Sequence, residues 1–177
     1  YNKKIAISVD TYVDKIHFIG FKHPNLVIKK CLRSSLSDLI CKGVNPKYYF
    51  IACSGNSKHF TKINLSKISK ALKSEQKKFS IKLSGGDTTY SNTLSFTFVV
   101  IGYSTTLPVL RNGAKLNDDI YITNTVGDAF LGLYIIKKNK KILNHKYFVN
   151  SFYLPNIPYK FGKKMCLFAN AAIDISD

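Results

Sequence analysis

The sequence is poor in acidic residues, and this scarcity is its most informative compositional feature. Its 177 residues include only ten acids, one glutamate and nine aspartates, against 27 lysines and arginines, for a formal net charge of +17. A surface balanced by many acids is therefore excluded, and each aspartate becomes a candidate for a specific role. A hydrophobic content of 45% leaves enough apolar material for a core.

Other absences exclude several classes of protein. The four cysteines form no CxxC pair and have no zinc spacing, and the four histidines stand far apart, which argues against a soft-metal site. No apolar run approaches the roughly 20 residues that a membrane helix needs. The start of the chain leads directly into a strand-like run instead of a leader. We expect a cytoplasmic protein with reduced thiols and no membrane partner.

The basic charge makes a nucleic-acid-binding module one alternative. Against it, only Arg33 and Arg111 are arginines, the lysines are scattered, and no nucleic-acid motif is present. We therefore expect no nucleic-acid partner. Salt-sensitive binding to random DNA would favour the alternative.

The aspartates lie in a recurrent context. Five of the nine stand next to a serine or threonine and an apolar run: Asp10, Asp38, Asp87, Asp174 and Asp177. Short carboxylates beside hydroxyls are the hard oxygen ligands that a divalent cation such as Mg²⁺ prefers. Asp38 falls near the carboxyl end of a predicted helix, where the helix dipole disfavours a carboxylate, so either a cation lies nearby or the acid faces solvent. We expect Asp10, Asp38 and Asp87 to share one hollow.

Paired glycines mark a second candidate feature, the stretch 84–89 (Ser-Gly-Gly-Asp-Thr-Thr). It follows a short strand-like run, which the glycines are predicted to interrupt with a turn. Glycines allow a close backbone approach with free amide groups, and the carboxylate of Asp87 adds an oxygen ligand. This combination suits a magnesium ion that carries a polyphosphate, although a plain turn is the commoner meaning of such a stretch.

The order of elements predicts an α/β fold. Residues 1–106 are predicted as a β-α-β-α-β-β domain of ferredoxin-like character, and residues 107–177 as part of a second α/β domain. The predicted elements are strands at 4–9, 48–53, 79–83 and 94–103 and helices at 25–42 and about 65–72. In the second part we predict a strand at 119–123, a helix at 127–136, irregular chain at 144–158, a helix at 161–170 and a strand at 171–175.

Six motifs, in order and at fitting spacing, resemble those of the thiamine-monophosphate kinase family. They are Ser8–Thr11 with His17, Leu36–Leu39 before Gly43, Gly85–Thr89, Arg111–Ala114, Gly127–Ala129 with Leu131–Leu133, and Ala172–Asp177. The resemblance runs nearly end to end. That family belongs to the aminoimidazole-ribonucleotide synthetase superfamily, whose members bind ATP without a Walker loop.

The resemblance implies transfer of a phosphoryl group from ATP to thiamine monophosphate, giving thiamine diphosphate by in-line displacement. It implies several Mg²⁺ ions held by Ser8, the Val9 carbonyl, Asp10, Asp38, Asp87 and Asp174, with a further ion at Asp177. It implies ATP contacts from Gly86, Asp87, Arg111 and Ser176, and an approach of His17 to thiamine monophosphate. It also implies a homodimer paired through the sheets of the first domains.

The sequence departs from the family pattern in places. Ser35 stands where the family usually has asparagine and Tyr90 where arginine is common, and the family continues beyond both ends of this chain. We therefore expect an internal fragment whose own kinase activity is low or absent. Another ATP-using member of the superfamily, of the selenophosphate synthetase or hydrogenase-maturation type, is the enzyme alternative.

Overall fold

The first half of the chain folds as a four-stranded sheet covered by two long helices. The structure is a computed structural model that describes residues 4–175. The first elements are β1 (Lys4–Val13), α1 (Pro24–Ile40), β2 (Asn45–Gly55), α2 (Lys62–Phe79), β3 (Lys82–Tyr90) and β4 (Ser95–Ser104). The predicted α/β class and the β-α-β-α-β-β order are confirmed.

The sheet has the strand order β1-β4-β2-β3. Strand β4 pairs antiparallel with both β1 and β2, whereas β2 and β3 are parallel. Side chains alternate between the two faces of a strand, and every second residue of β4 is buried. Phe96, Phe98 and Val100 of β4 pack with Leu32 and Leu36 of α1 in the core. The helices therefore cover one face of the sheet.

The opposite face, which we call the open face, carries exposed apolar side chains. Ile5, Ile7 and Val9 of β1 are 63%, 60% and 62% exposed, and Tyr48 and Phe50 of β2 are also exposed. Apolar positions that alternate along a strand and yet lie in solvent mark a surface suited to contact with another protein surface. Among residues 4–175, only the helix side of β4 is covered by other elements.

The paired glycines lie inside β3 and do not end it. The predicted turn at 84–89 is therefore wrong: β3 continues through Gly85 and Gly86 to Tyr90, in parallel register with β2. The register shifts at Tyr49 and Phe50, which is the irregularity that the glycines accommodate. A Cβ atom at Gly86 would overlap the Ile51 carbonyl oxygen.

We expect Gly86→Ala to lower the free energy of unfolding by about 1–3 kcal/mol, because the added methyl group meets backbone that cannot move without breaking the β2–β3 pairing. Chemical denaturation measures this loss. Ser84→Ala, at an exposed position of the same strand, is the matched control and should change stability little. Equal stability of Gly86→Ala and the parent would contradict the close packing of these strands.

The second half is helical within the described range. It contains α3 (Asp128–Lys138), α4 (His145–Tyr153), the short α5 (Tyr159–Gly162) and a 3-10 turn at Met165–Leu167. The predicted helix at 127–136 is confirmed. Helix α4 replaces the irregular chain predicted for 144–158, since it ends before Pro155 and so avoids the proline that argued against a helix. The single helix predicted at 161–170 is broken up, and the strands predicted at 119–123 and 171–175 are not formed.

Candidate functional site

Strand β1 and helix α1 bring two of the singled-out aspartates together. The Ser8 hydroxyl donates to Asp38 Oδ2 at 2.5 Å and lies 3.2 Å from Asp10 Oδ2. Ser8 and Asp10 are two residues apart on a strand, so both project from its helix-covered face towards the last turn of α1. Since a hydroxyl has one proton, the shorter contact to Asp38 is the principal hydrogen bond.

The segment near the end of the chain adds a third carboxyl group. The Ser37 hydroxyl lies 2.8 Å from Asp174 Oδ2 and 2.6 Å from the Ser34 carbonyl oxygen. Asp174 is separated from Ser37 by 137 positions in the sequence, so the contact depends on tertiary structure. We call Asp10, Asp38 and Asp174, with Ser8 and Ser37, the carboxylate cluster.

The carboxylate cluster is electrostatically strained. Burial raises the pKa of Asp38 from 3.8 to about 6, and the negative charges of Asp174 and Asp10 act in the same direction, while the Ser8 hydrogen bond opposes them. Among the described residues the ion pairs are those of Lys29 and Arg33 with Glu75, so no basic side chain pairs with the cluster. Half-buried acids without a basic partner favour a bound cation.

The cluster is not a complete cage for one ion. Within residues 4–175, no three histidine, cysteine, aspartate or glutamate side chains lie close enough together to hold a metal by themselves. Mg²⁺ usually takes only one or two carboxylates and completes its shell with water and substrate phosphates. The residues therefore fit magnesium ions that arrive with a polyphosphate and do not fit a stand-alone metal centre.

Asp87 lies apart from the cluster. Its register partners across the sheet are Ala52, then Thr97, then Thr11, a row that belongs to the open face, whereas Asp10 lies in the row of the buried Phe98 and Ile51. Strands β1 and β3 are the two edges of the sheet, three strand spacings or about 14 Å apart. Asp87 is exposed, and its carboxylate accepts a hydrogen bond from the Thr88 amide at 2.7 Å. A single chain therefore does not place Asp87 in one hollow with Asp10 and Asp38.

The residues predicted to contact the nucleotide also lie in separate parts of the structure. Gly86 neighbours Asp87 on β3. Arg111 is exposed in a turn, and the adjacent Leu110 carbonyl accepts a hydrogen bond from the Ala172 amide at 3.2 Å. That bond ties the Arg111 turn to the segment that carries Asp174. Val9 points its exposed side chain to the open face. Ser176 and Asp177 lie outside the described residues.

His17 lies near the strand that carries Asp10. Its Nδ1 accepts a hydrogen bond from the Val13 amide at 3.0 Å, so a neutral ring carries its proton on Nε2. The ring meets Tyr12 edge-on at 5.9 Å, and the Tyr12 hydroxyl lies 3.0 Å from Ser35 Oγ of α1. The imidazole is exposed. It can therefore donate an Nε2–H hydrogen bond to a bound group.

Sequence reasoning missed the part played by Ser37. Its hydroxyl connects Asp174 to the end of α1, yet serine in a helix is a common surface residue. The signal that could have found it is its position immediately before Asp38, one helical turn after Arg33. Sequence reasoning also did not foresee the buried Arg33–Glu75 pair, because the two residues lie 42 positions apart.

Comparison with known proteins shows the family of this chain. Residues 1–104 match the family described as AIR synthase related protein, N-terminal domain, and the chain belongs to that family.

The similarities that extend over nearly the whole of this chain are to a more specific group of proteins. The chain is 33% identical over 180 residues to thiamine-monophosphate kinase of Buchnera aphidicola subsp. Acyrthosiphon pisum, covering 99% of this chain and 55% of the relative. It is 32% identical to the Escherichia coli K12 thiamine-monophosphate kinase, covering 98% of this chain and 54% of the relative. The chain thus spans about half the length of the curated relatives it matches.

Solved structures share the fold. Thiamine monophosphate kinase from Aquifex aeolicus superimposes with a TM-score of 0.88 at 22% identity, over 96% of this chain and 58% of that one. The structure of AaThiL complexed with AMPPCP and TMP has the same TM-score and identity, over 96% of this chain and 55% of that one. No helix in the described range is long and apolar enough to cross a membrane.

Proposed function

We propose that this chain is the ATP- and magnesium-binding part of a thiamine-monophosphate kinase, which transfers a phosphoryl group from ATP to thiamine monophosphate in the cytoplasm. The observation that carries the proposal is the carboxylate cluster, in which Ser8 and Ser37 hold Asp10, Asp38 and Asp174 together without a basic partner among residues 4–175. Support comes from the curated relatives of that name and from AaThiL, whose structure holds AMPPCP and TMP.

The cluster suits phosphoryl transfer. Catalysis of this reaction consists mainly of positioning and charge neutralisation, and the protein does little covalent chemistry. Bound Mg²⁺ would neutralise the charge of the triphosphate. Asp10, Asp38 and Asp174 would hold ions along it, and Asp177 would bind a further ion. Gly86, Arg111 and Ser176 would contact ATP, and His17 would donate a hydrogen bond to thiamine monophosphate.

The proposed organisation has two domains and two chains. Residues 1–106 would form the ATP-binding and dimerisation domain, and residues 107–177 part of the second domain. A homodimer that pairs the open faces would bury Ile5, Ile7 and Val9, and it would place Asp87, which lies on the same face, next to the second chain. The net charge of +17 would raise the rate at which anionic nucleotides arrive.

Calorimetric titration with ATP tests the proposal. We expect weak binding that depends on Mg²⁺ and that declines as the pH falls through about 6, because protonation of Asp38, whose pKa is raised to about 6, removes a magnesium ligand. Asp38→Asn is the control. Whatever binding this variant retains should show only the pH dependence of the nucleotide's own terminal phosphate, whose pKa also lies near 6, and lack the part due to Asp38. ATP binding that ignores magnesium would count against the cluster as a metal site.

A further inference from the structure

A buried ion pair joins the two long helices outside the carboxylate cluster. Arg33 of α1 is 7% exposed and Glu75 of α2 is 1% exposed. Arg33 Nε donates to Glu75 Oε2 at 2.8 Å and Nη2 donates to Oε1 at 3.0 Å, a bidentate geometry. Lys29 Nζ lies 3.7 Å from the same carboxylate. Two cations thus compensate one buried acid, which makes the Glu75 charge tolerable.

The guanidinium has a third contact that a simple helix clamp does not need. Arg33 Nη1 donates to the Pro155 carbonyl oxygen at 3.2 Å, 122 positions further along the chain. Pro155 follows α4, whose Phe152 ring lies 4.5 Å from Lys30 Nζ on the same helix α1. The rigid fork of arginine is therefore held on one side by α2 and presented on the other side to the second half of the chain.

The position of this contact links it to the carboxylate cluster. Arg33 and Ser37 are four residues apart on α1, so they are neighbours on one helix face. Ser37 holds Asp174, and Arg33 holds Pro155, so both contacts dock the second half of the chain on the same strip of α1. The Pro155 contact lies about one helical turn, or 6 Å, from the Ser37 contact.

We propose that Arg33 is a positioning residue, which uses the buried Glu75 as a fixed support to hold the Pro155 segment on α1 and so to set Asp174 beside Asp38. The inference deepens the proposed function and rests on it for its binding readout. The alternative is that the Arg33–Glu75 pair only fastens α1 to α2. The two hypotheses predict different results for a variant that keeps the ion pair but loses the hydrogen bond to Pro155.

The Arg33→Lys variant distinguishes the two hypotheses. A lysine can keep the ion pair with Glu75, but its single ammonium cannot serve the carboxylate and the Pro155 carbonyl with the planar fork of arginine. We expect backbone amides of residues 156–175 to exchange about tenfold faster with deuterium, as loss of a charged hydrogen bond implies, while amides of β2 and β4 keep their protection. We expect the affinity for Mg-ATP to fall by a similar factor.

Lys29→Met is the matched control, since Lys29 contacts the same carboxylate without contacting Pro155, and it should leave both readouts unchanged. If Arg33→Lys folds poorly, the double variant Arg33→Met/Glu75→Gln takes its place, because it removes the ion pair without leaving an unpaired buried charge. We expect the double variant to show the same faster exchange at 156–175 and the same loss of Mg-ATP affinity.

Faster exchange throughout the sheet, or unchanged exchange at 156–175, would overturn the proposal. Faster exchange at 156–175 with unchanged Mg-ATP affinity would also overturn it, because Arg33 would then fasten the segment without positioning Asp174. If the parent chain shows no magnesium-dependent binding at all, the proposed function fails, and the exchange result alone decides whether Arg33 holds the segment.

Discussion

Asp38→Asn is expected to weaken magnesium-dependent ATP binding by about 30-fold, the low end of the loss that follows when one partner of a charge interaction is removed, since Asp38 is only half-buried. The asparagine oxygen can still accept the Ser8 hydrogen bond, so the local geometry survives while the charge is lost. The ligand-free protein should become more stable at pH 7, because the substitution removes a charge that is disfavoured first by burial and then by repulsion from Asp174 and Asp10. Loss of binding with a gain in stability distinguishes a ligand-binding acid from a structural one.

The sign of the stability change follows from the pKa of Asp38. Its folded-state pKa of about 6 lies above the ordinary value of 3.8, so the folded protein binds this proton more tightly than the unfolded chain does. The stabilising contribution is present below pH 3.8 and is lost as the pH rises through 6. After allowance for solvent screening of a half-exposed group, the cost at pH 7 is about 1 kcal/mol, or about 2–4 °C in Tm.

Calorimetry and thermal unfolding at pH 5 and pH 7 measure both effects. Asp119→Asn removes the same charge from an exposed position and should change neither binding nor the difference between the two Tm values. If the Asp38→Asn variant bound Mg-ATP as well as the parent, or unfolded at a lower temperature at pH 7, the assignment of Asp38 as a magnesium ligand would be wrong.

Asp87→Asn is expected to abolish magnesium-dependent nucleotide binding and to leave the fold intact. The side chain is exposed, and its one described hydrogen bond, from the Thr88 amide, is equally available to an asparagine oxygen. The position therefore offers no structural reason for a large loss of stability. Because Asp87 lies on the open face at the far edge of the sheet, it would hold an ion different from the one at Asp10.

The same titration, with circular dichroism and Tm as checks on the fold, decides the role of Asp87. Asp119→Asn again serves as the charge-matched control. If the Asp87→Asn variant bound Mg-ATP as tightly as the parent, Asp87 would be an ordinary strand residue, and the assignment would have to rest on the carboxylate cluster alone.

Local patterns were enough to predict the order of helices and strands in the first half of the fold. Helix α1 begins at Pro24, whose fixed φ suits a first helical turn, and it ends at Ile40, shortly before Gly43, which has a positive φ of 76°. These signals are contained within a few consecutive residues, so no knowledge of distant contacts was needed.

The wrong predictions share a physical cause: each structure depends on contacts with residues far away in the sequence. Gly85 and Gly86 suggested a turn because the reason for each glycine lies on the neighbouring strand β2. A Cβ atom at Gly86 would overlap the Ile51 carbonyl oxygen, and one at Gly85 would press against the Phe50 ring. The stretch 119–123 consists largely of residues that favour strands, but a strand requires a hydrogen-bonding partner, and Ile120 is 91% exposed.

The candidate site shows the same division. The contexts of Asp10, Asp38 and Asp174 predicted oxygen ligands, and the structure brings these three residues together. The face on which Asp87 lies could not be foreseen, because it follows from the register of β3 against β2, and a shift by one residue exchanges the two faces.

The open face gives the two sides of the sheet different sensitivities to mutation. A truncation of Phe96 or Phe98 leaves a void inside the single chain and lowers its own stability. A truncation of Ile5, Ile7 or Val9 removes side chains that mostly contact water, so the dilute chain should register almost no change. A mutational scan scored only by melting of the dilute chain would thus class these three positions as neutral, and their importance would emerge only in an assay that reports on whatever covers them.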